Sequence, residues 1–174
     1  MQSNRQQAGV TMIELMIVIA IAAILASIAA PSFSDFINST RLTSTMSQLT
    51  SDLNRARSEA IKRNSWVLVC VRGSNTACGA GTDWANGWLV CQDSSDDATN
   101  NCDSGTAANP NPITVHQAIN TNFILTGSAG SIRFNPSGTQ GAGGAATLTL
   151  AGNWTGAVNN VATIAATGNI SKTP

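Results

Sequence analysis

An apolar segment near the N-terminus constrains the fold of this chain more than any other feature of its sequence. Residues 15–30 contain no charged side chain and a single hydroxyl, that of Ser27. Together with the apolar residues from Val10 onward, the segment has about 20 residues, or about 30 Å as a helix, which matches the hydrocarbon core of a bilayer. Glu14 lies near its start, where an ionised side chain needs a partner or an interfacial position. We therefore predict a membrane-spanning helix over residues 10–31.

Three interpretations of this N-terminus compete. A secretory signal peptide cleaved after Ala29 is disfavoured, because Glu14 adjoins the apolar core and Arg5 is the only basic residue before it. An ordinary uncleaved single-span anchor is the second interpretation. The third is a cleaved polar leader over residues 1–9. The residues that favour this third interpretation are Gly9-Val10-Thr11-Met12-Ile13-Glu14.

This run of residues resembles the type IV prepilin signature, a polar leader that ends in glycine and is followed by a hydrophobic residue, with Glu as the fifth mature residue. The resemblance implies cleavage between Gly9 and Val10 by a prepilin peptidase, then N-methylation of Val10, where family members usually carry Phe or Met. It implies that Glu14 pairs with the amine of Val10, one helical turn away, or with that of a neighbouring subunit. Pro31 stands where pilins commonly have a proline, and it predicts a kink or local melting of the helix.

After Pro31 the apolar residues become periodic, which predicts an amphipathic helix over residues 32–64. We predict that its apolar stripe packs under the chain's own sheet; a coiled coil with a partner is the alternative. The stripe consists of Leu42, Met46, Leu49, Leu53, Ala56 and Ala60. The basic residues of this segment are interpreted as a solvated helix face that Asp52 and Glu59 partly neutralise, rather than as a nucleic-acid patch. They are Arg55, Arg57, Lys62 and Arg63.

The remainder of the chain, residues 65–174, predicts a β-rich head. Short β-branched and apolar runs alternate with Gly-, Asn- and Ser-rich turns, as is typical of antiparallel strands. The predicted fold is therefore α+β, with a long N-terminal helix packed on an antiparallel sheet. Strands are predicted at residues 66–71, 87–91, 113–116, 123–125, 131–134, 146–150, 161–165 and 168–171, and a long polar loop at 93–112.

Four cysteines fall in this head, and an exported head places them in an oxidising compartment. Their spacing offers no short Cys-x-Cys knuckle and His116 is the only histidine, so neither a zinc site nor any cofactor is expected. Three disulfide pairings are possible, of which the local one is preferred: Cys70 with Cys78, and Cys91 with Cys102. The acidic residues of the long loop are interpreted as solvated rather than as a calcium site. They are Asp93, Asp96, Asp97 and Asp103.

A narrower resemblance extends over nearly the whole chain. The segments 57–63, 84–90 and 132–138, together with the strand that ends in Cys70, are similar to those of the FimT/GspH family of minor pilins and pseudopilins. The resemblance implies a non-enzymatic subunit that helps initiate or cap a type IV pilus or a type II secretion pseudopilus, with the cysteines favouring the pilus. The implied partners are other pilins or pseudopilins, prepilin peptidase and an inner-membrane assembly platform. The implied location is the bacterial inner membrane as a single-pass protein with a periplasmic head, and then the filament.

A DNA-binding tip pilin is the alternative function. Some FimT-type members bind DNA through a C-terminal Gly-Arg-x-Arg motif, whereas the matching segment here is Gly168-Asn169-Ile170-Ser171-Lys172. Both arginines are missing, and Lys172 alone remains to contact phosphate. Because phosphate contacts supply most non-specific DNA affinity, nucleic-acid binding is disfavoured. No nucleophile accompanies His116, so no catalytic residues are predicted.

Overall fold

The computed structural model describes residues 9–93, 102, 112–141 and 144–173; within these, the side chains of residues 28–32 are not described. The predicted leader therefore lies outside the described residues except for Gly9, as does most of the predicted loop at 93–112. The chain divides into two compact units, one up to Asn38 and one from Ser39 to Pro174.

One helix, α1, covers Met12–Arg63 without interruption. The predicted local melting at Pro31 is therefore not found, although the side chain of this proline lies outside the described part. The helix ends in a Schellman motif, in which Asn64 adopts a left-handed conformation with φ of 50°. The amide of Ser65 donates to the carbonyl of Ala60 at 3.2 Å, and that of Asn64 donates to the carbonyl of Ile61 at 3.3 Å.

In the first unit, the described apolar side chains of α1 are exposed all around the helix. Ile19, for example, is 58% exposed. Among the described residues, no helical stretch combines the length and the apolar character needed to span a bilayer.

In the second unit, every residue of the predicted apolar stripe of α1 is buried. These side chains belong to one continuous cluster that also contains apolar residues of the strands. The prediction that the stripe packs within the chain's own head is thus confirmed. Burial of such a stripe, rather than helix propensity, supplies most of the stability of a helix in a folded protein.

The described part of the head has eight strands in two antiparallel sheets rather than the single predicted sheet. The first sheet has the order β3-β2-β1-β5 and the second has the order β4-β6-β7-β8. The strands are β1 (Trp66–Val71), β2 (Trp88–Asp93), β3 (Pro112–Val115), β4 (Phe123–Gly127), β5 (Ser131–Phe134), β6 (Ala146–Gly152), β7 (Asn160–Ile164) and β8 (Ile170–Thr173). The split arises between β4 and β5, because β5 pairs with β1 instead of folding back onto β4.

The first sheet is apolar on both faces. Val67, Val69 and Val90 point into the main core with the stripe of α1. On the opposite face, alternate residues of β1 and β2 form a second, smaller buried cluster. Its buried members are Leu68, Cys70, Leu89, Cys91 and Cys102. Because both faces of the sheet are buried, β1 and β2 have continuous apolar sequences instead of alternating apolar and polar residues.

Candidate processing and assembly site

The start of α1 is fixed by a reciprocal pair of hydrogen bonds. The amide of Glu14 donates to Thr11 Oγ1 at 3.3 Å, and the amide of Thr11 donates to Glu14 Oε2 at 3.4 Å. The amide of Leu15 donates to the carbonyl of Thr11 at 3.1 Å. This arrangement is a capping box, which satisfies two backbone donors that a helix start leaves unpaired. The Thr-x-x-Glu spacing is its sequence signal, and interpreting Glu14 only as a charge partner missed it.

The predicted cleavage site lies just before this cap. Gly9 and Val10 are both exposed and precede the helix, and Val10 is 73% exposed. Among the described residues, no atom lies within 4 Å of a Cβ placed on Gly9. The peptide bond between Gly9 and Val10 therefore lies in an exposed, non-helical position, as a peptidase requires. In the uncleaved chain the Val10 nitrogen is an uncharged amide, so it forms no ion pair with Glu14.

The helix that follows presents large apolar side chains that are more than half exposed. A helix that is apolar on every side needs lipid or other protein around it, since water solvates it poorly. Within Met12–Leu25 these residues are Met12, Ile13, Leu15, Met16, Ile17, Val18, Ile19, Ile21, Ile24 and Leu25.

The cysteines form the two predicted local disulfides. Cys70 is bonded to Cys78 and Cys91 to Cys102, with Cα atoms 5.7 and 5.4 Å apart. Cys70 lies on β1 and Cys91 on β2, so each bond ties a following segment to the outer face of the first sheet. In the chain-entropy description, loops of this length contribute about 2.5–3 kcal/mol each.

Lys172 lies on the edge strand β8 and is exposed. Its ammonium donates to Ser47 Oγ on α1 at 3.2 Å. The strand is the last of the second sheet, hydrogen-bonded to β7.

The comparisons with known proteins agree with this arrangement. A family profile described as type II transport protein GspH matches residues 45–168. A second profile, described as the prokaryotic N-terminal methylation motif, matches residues 4–30. The chain belongs to the GspH family. It is a structural subunit of the minor pilin and pseudopilin class, and neither profile supports the DNA-binding alternative.

The fold of this GspH-family chain is also that of a type IV minor pilin. Two crystal structures of FimU from Pseudomonas aeruginosa strain PAO1 resemble it. The form in space group P21 has a TM-score of 0.59 and 20% identity, and covers 80% of this chain and 92% of that one. The form in P65 has a TM-score of 0.55 and 19% identity, and covers 76% and 92%. Among curated proteins, none matches this sequence significantly.

Within the GspH-matched region, Asp52 corrects the interpretation of a solvated helix face. Asp52 is only 4% exposed, and its Oδ2 accepts a hydrogen bond of 2.9 Å from the indole N–H of Trp88. The Trp88 ring in turn stacks on His116, with ring centroids 3.7 Å apart and planes within 9°. This carboxylate is turned into the head, toward the first sheet, so it cannot neutralise the exposed basic residues. In the sequence, the only indication that Asp52 is buried is that it adjoins Leu53 of the apolar stripe.

Arg57 corrects the same interpretation for one of the basic residues. Its Nε donates to the carbonyl of Gly138 at 2.8 Å, and its Nη2 donates to that of Thr167 at 3.4 Å. The two turns are themselves in close contact, because a Cβ added to Gly168 would clash with the carbonyl oxygen of Gly138. Gly168 also has a φ of 78°, which favours glycine. Arg57 is thus half-buried and holds two turns of the head on α1, instead of being a free surface charge.

The other basic residues of this face are exposed, as predicted: Arg55, Lys62 and Arg63. Glu59 accepts a hydrogen bond from Arg63, one helical turn later. This hydrogen bond, helped by the charges of Arg63, Lys62 and Arg55, lowers the pKa of Glu59 below its ordinary value. These three basic residues therefore form a solvated helix face that Glu59 partly neutralises, as the sequence predicts. We call these four side chains the surface charge network.

Asp93 corrects the interpretation of the acidic loop. It is fully buried at the end of β2, and its Oδ2 lies 2.7 Å from Arg133 Nη2 on β5. The guanidinium of Arg133 also lies over the ring of Trp66, with Cζ 4.8 Å from the ring centroid. A carboxylate paired in this way belongs to the framework of the sheet and is not a solvated loop residue. The remaining acidic candidates, Asp96, Asp97 and Asp103, lie outside the described residues.

Proposed function

We propose that this chain is a low-abundance subunit that helps initiate or cap a type IV pilus, with a structural rather than an enzymatic role. Before assembly it is held in the bacterial inner membrane by residues 10–31 with its head in the periplasm. The observation that supports this proposal is the accessible Gly9–Val10 bond directly ahead of a capped helix with exposed apolar side chains. Its partners are other pilins, prepilin peptidase and the inner-membrane assembly platform. The two disulfides of the head favour the pilus over a type II secretion pseudopilus.

Intact mass of the full-length chain, co-expressed with a prepilin peptidase, tests the processing step. The expected product has lost residues 1–9 and gained one methyl group at the amine of Val10. Substitution of Gly9 by a bulky residue, Gly9→Leu, is expected to leave the leader attached. A mature chain that begins at Ala30 would instead identify a secretory signal peptide and overturn the proposal.

The role of Glu14 in assembly can be separated from its role as a cap. Glu14→Gln removes the charge but keeps a side chain that can complete a capping box, whereas Thr11→Ala removes the cap hydroxyl and keeps the charge. If the carboxylate pairs with the amine of Val10, Glu14→Gln loses incorporation into sheared filaments while Thr11→Ala retains it. The reverse result would show that Glu14 acts through the helix start alone.

The choice between the two machines needs a cellular measurement. Deletion of the chain is expected to reduce surface pili and to leave protein secretion through the outer membrane unchanged. Complementation with the intact chain should restore the pili, and complementation with the Gly9→Leu variant should not. Loss of secretion with normal pili would assign the chain to a pseudopilus.

A further inference from the structure

One end of the head carries a small, partly apolar cleft. It has a volume of about 150 Å³ and lies between the first head residues of α1 and the loop that joins β6 to β7. We call it the Trp154 cleft, and its lining residues are Ser39, Leu42, Thr43, Trp154, Val158 and Asn160. Val158 is 65% exposed, more than any other large apolar side chain described in the head. An apolar group exposed beside a cleft indicates a contact surface.

The loop between β6 and β7 is folded tightly around Trp154. The amide of Ala157 donates to the carbonyl of Trp154 at 3.2 Å, and Gly156 has a φ of 85° in this turn. The indole ring covers Gly152, where an added Cβ would clash with it. Its centroid lies 6.0 Å from that of the Phe123 ring. Trp154 is therefore fixed in a half-buried position, with part of its ring left at the surface.

The surroundings of the cleft carry almost no charge. Residues 134–171, which include the whole loop, contain no charged side chain. On α1, Arg41 is the only charged residue of the segment 36–51, and it is exposed beside Leu42 in the chain. An uncharged surface can leave water without the large cost of desolvating an ion. One basic residue beside an uncharged aromatic surface complements a lipid headgroup layer, whose phosphates are anionic.

The covalent chain keeps the cleft close to the proposed anchor. Apolar side chains continue beyond residue 31 to Phe33 and Phe36, which are 65% and 66% exposed. Ser39, the first residue of the second unit, follows Phe36 by three positions, or about 5 Å along a helix. The polar layer on each side of a bilayer is about 5–7 Å thick. Whatever the angle between the two units, the start of the cleft therefore lies within reach of this layer.

We propose that the Trp154 cleft and Arg41 contact the headgroup layer of the membrane that holds the anchor. In this contact the indole of Trp154 and the side chain of Val158 lie at the boundary between headgroups and acyl chains. Tryptophan is enriched at this boundary, because its ring is apolar while its N–H can bond to polar groups. The contact limits the orientations of the head before the subunit joins a filament. This inference rests on the proposed membrane anchor over residues 10–31.

Quenching of tryptophan fluorescence by brominated lipid tests the contact, because all four tryptophans lie in the head and none in the anchor. The full-length chain is reconstituted into vesicles of phosphatidylethanolamine and phosphatidylglycerol, with or without acyl chains brominated near the headgroup. Trp154→Phe removes the reporter but keeps an apolar ring, so its difference from the unaltered chain isolates the emission of Trp154. We expect brominated lipid to quench this emission. The emission that remains in Trp154→Phe is expected to be quenched far less.

Two charge substitutions show which surface makes the contact. Val158→Asp places a carboxylate beside the cleft that must stay in water, so the quenching of Trp154 is expected to be lost. Ile61→Asp is the matched control, because Ile61 is 53% exposed and lies about 28 Å beyond Leu42 along α1. Its quenching is expected to equal that of the unaltered chain. Near-ultraviolet circular dichroism in detergent checks that both variants keep the native head, and equal loss of quenching in two folded variants would contradict the proposal.

Sedimentation of the vesicles separates failure of this inference from failure of the proposed function. A chain that sediments with the vesicles but shows no quenching of Trp154 keeps its anchor and overturns the contact. A chain that stays in the supernatant overturns the anchor, and the contact with it. If Trp154 is not quenched and Val158→Asp is lost from sheared filaments, the cleft binds a neighbouring subunit instead of lipid, which also overturns the proposal.

Discussion

The two parts of helix α1 contain similar aliphatic side chains but place them in opposite environments. In the first unit Ile19 is 58% exposed, while in the second unit Leu49 is fully buried. The difference follows from periodicity rather than from apolar content. Apolar residues at every position leave no polar face for water, whereas apolar residues at intervals of three and four form a single stripe that one sheet can cover. The first part needs a partner outside the chain, and the second finds its partner within the head.

The largest expected difference between the two parts concerns truncation of an aliphatic side chain. Leu49→Ala is expected to lower the free energy of unfolding of the head by about 3 kcal/mol, because it removes buried methyl groups and leaves a cavity. Ile19→Ala truncates a side chain of the first unit that is more than half exposed, so the head should unfold at the same urea concentration as the unaltered chain. Urea titrations in detergent, followed by near-ultraviolet circular dichroism, measure both. Equal destabilisation by the two substitutions would contradict the comparison.

The buried carboxylate of the second part gives the next largest effect. Asp52→Ala leaves the indole N–H of Trp88 without its acceptor, and an unsatisfied buried donor costs about 2 kcal/mol. Asp52→Asn is the matched control, because an amide oxygen can still accept this hydrogen bond. We expect the asparagine variant to lose less than half as much stability, measured by urea unfolding and tryptophan fluorescence. An alanine variant as stable as the asparagine variant would show that the hydrogen bond contributes little.

A smaller effect is expected for the arginine that holds the two turns. Arg57→Ala removes a charged donor from the carbonyl of Gly138 and is expected to cost about 1–2 kcal/mol. Arg55→Ala, two residues earlier and exposed, is expected to change stability by less than about 0.5 kcal/mol. Thermal unfolding of the two variants side by side measures the difference. If Arg55→Ala is the more destabilising of the two, the assignment of these arginines is wrong.

The smallest effect concerns the surface charge network and depends on pH. The Arg63 hydrogen bond lowers the pKa of Glu59 in the folded state, so the ionised carboxylate stabilises the fold. This contribution is fully present above the ordinary pKa of 4.5 and is lost as the pH falls through the lowered value. Glu59→Gln should therefore reduce the unfolding midpoint slightly at about pH 6 and leave it unchanged at about pH 2. High salt is expected to shrink the difference, because the pair lies at the surface.

Local patterns predicted most of the secondary structure. The period of the stripe identified the buried side of α1, and short apolar and β-branched runs between turns predicted each described strand to within a few residues. The predicted second strand begins at Gly87, whereas this residue has a left-handed φ of 94° and β2 begins at Trp88. The capping box also had a local signal, Thr11 and Glu14 three residues apart, which a search for charge pairs overlooked.

The sequence was least informative for polar groups with distant partners. Arg57 and Gly138 are 81 residues apart, and Asp52 and Trp88 are 36 residues apart. No periodicity links such positions, because they meet only after the sheets have formed. The placement of Cys70 and Cys91 on one face of the first sheet depends in the same way on the register of β1 and β2. Helix and strand positions are local properties of the chain, whereas these contacts are properties of the assembled head.

The position of β8 has a consequence for the time at which the head can be completed. This strand closes the second sheet, and its Lys172 bonds to Ser47, which is 125 residues earlier in the chain. The ribosome makes β8 after α1 and after the other strands that the structure describes. A nascent chain therefore carries an amphipathic helix with an incomplete covering until β8 has been made. Delivery to the membrane can precede this moment, and final closure of the head must follow it.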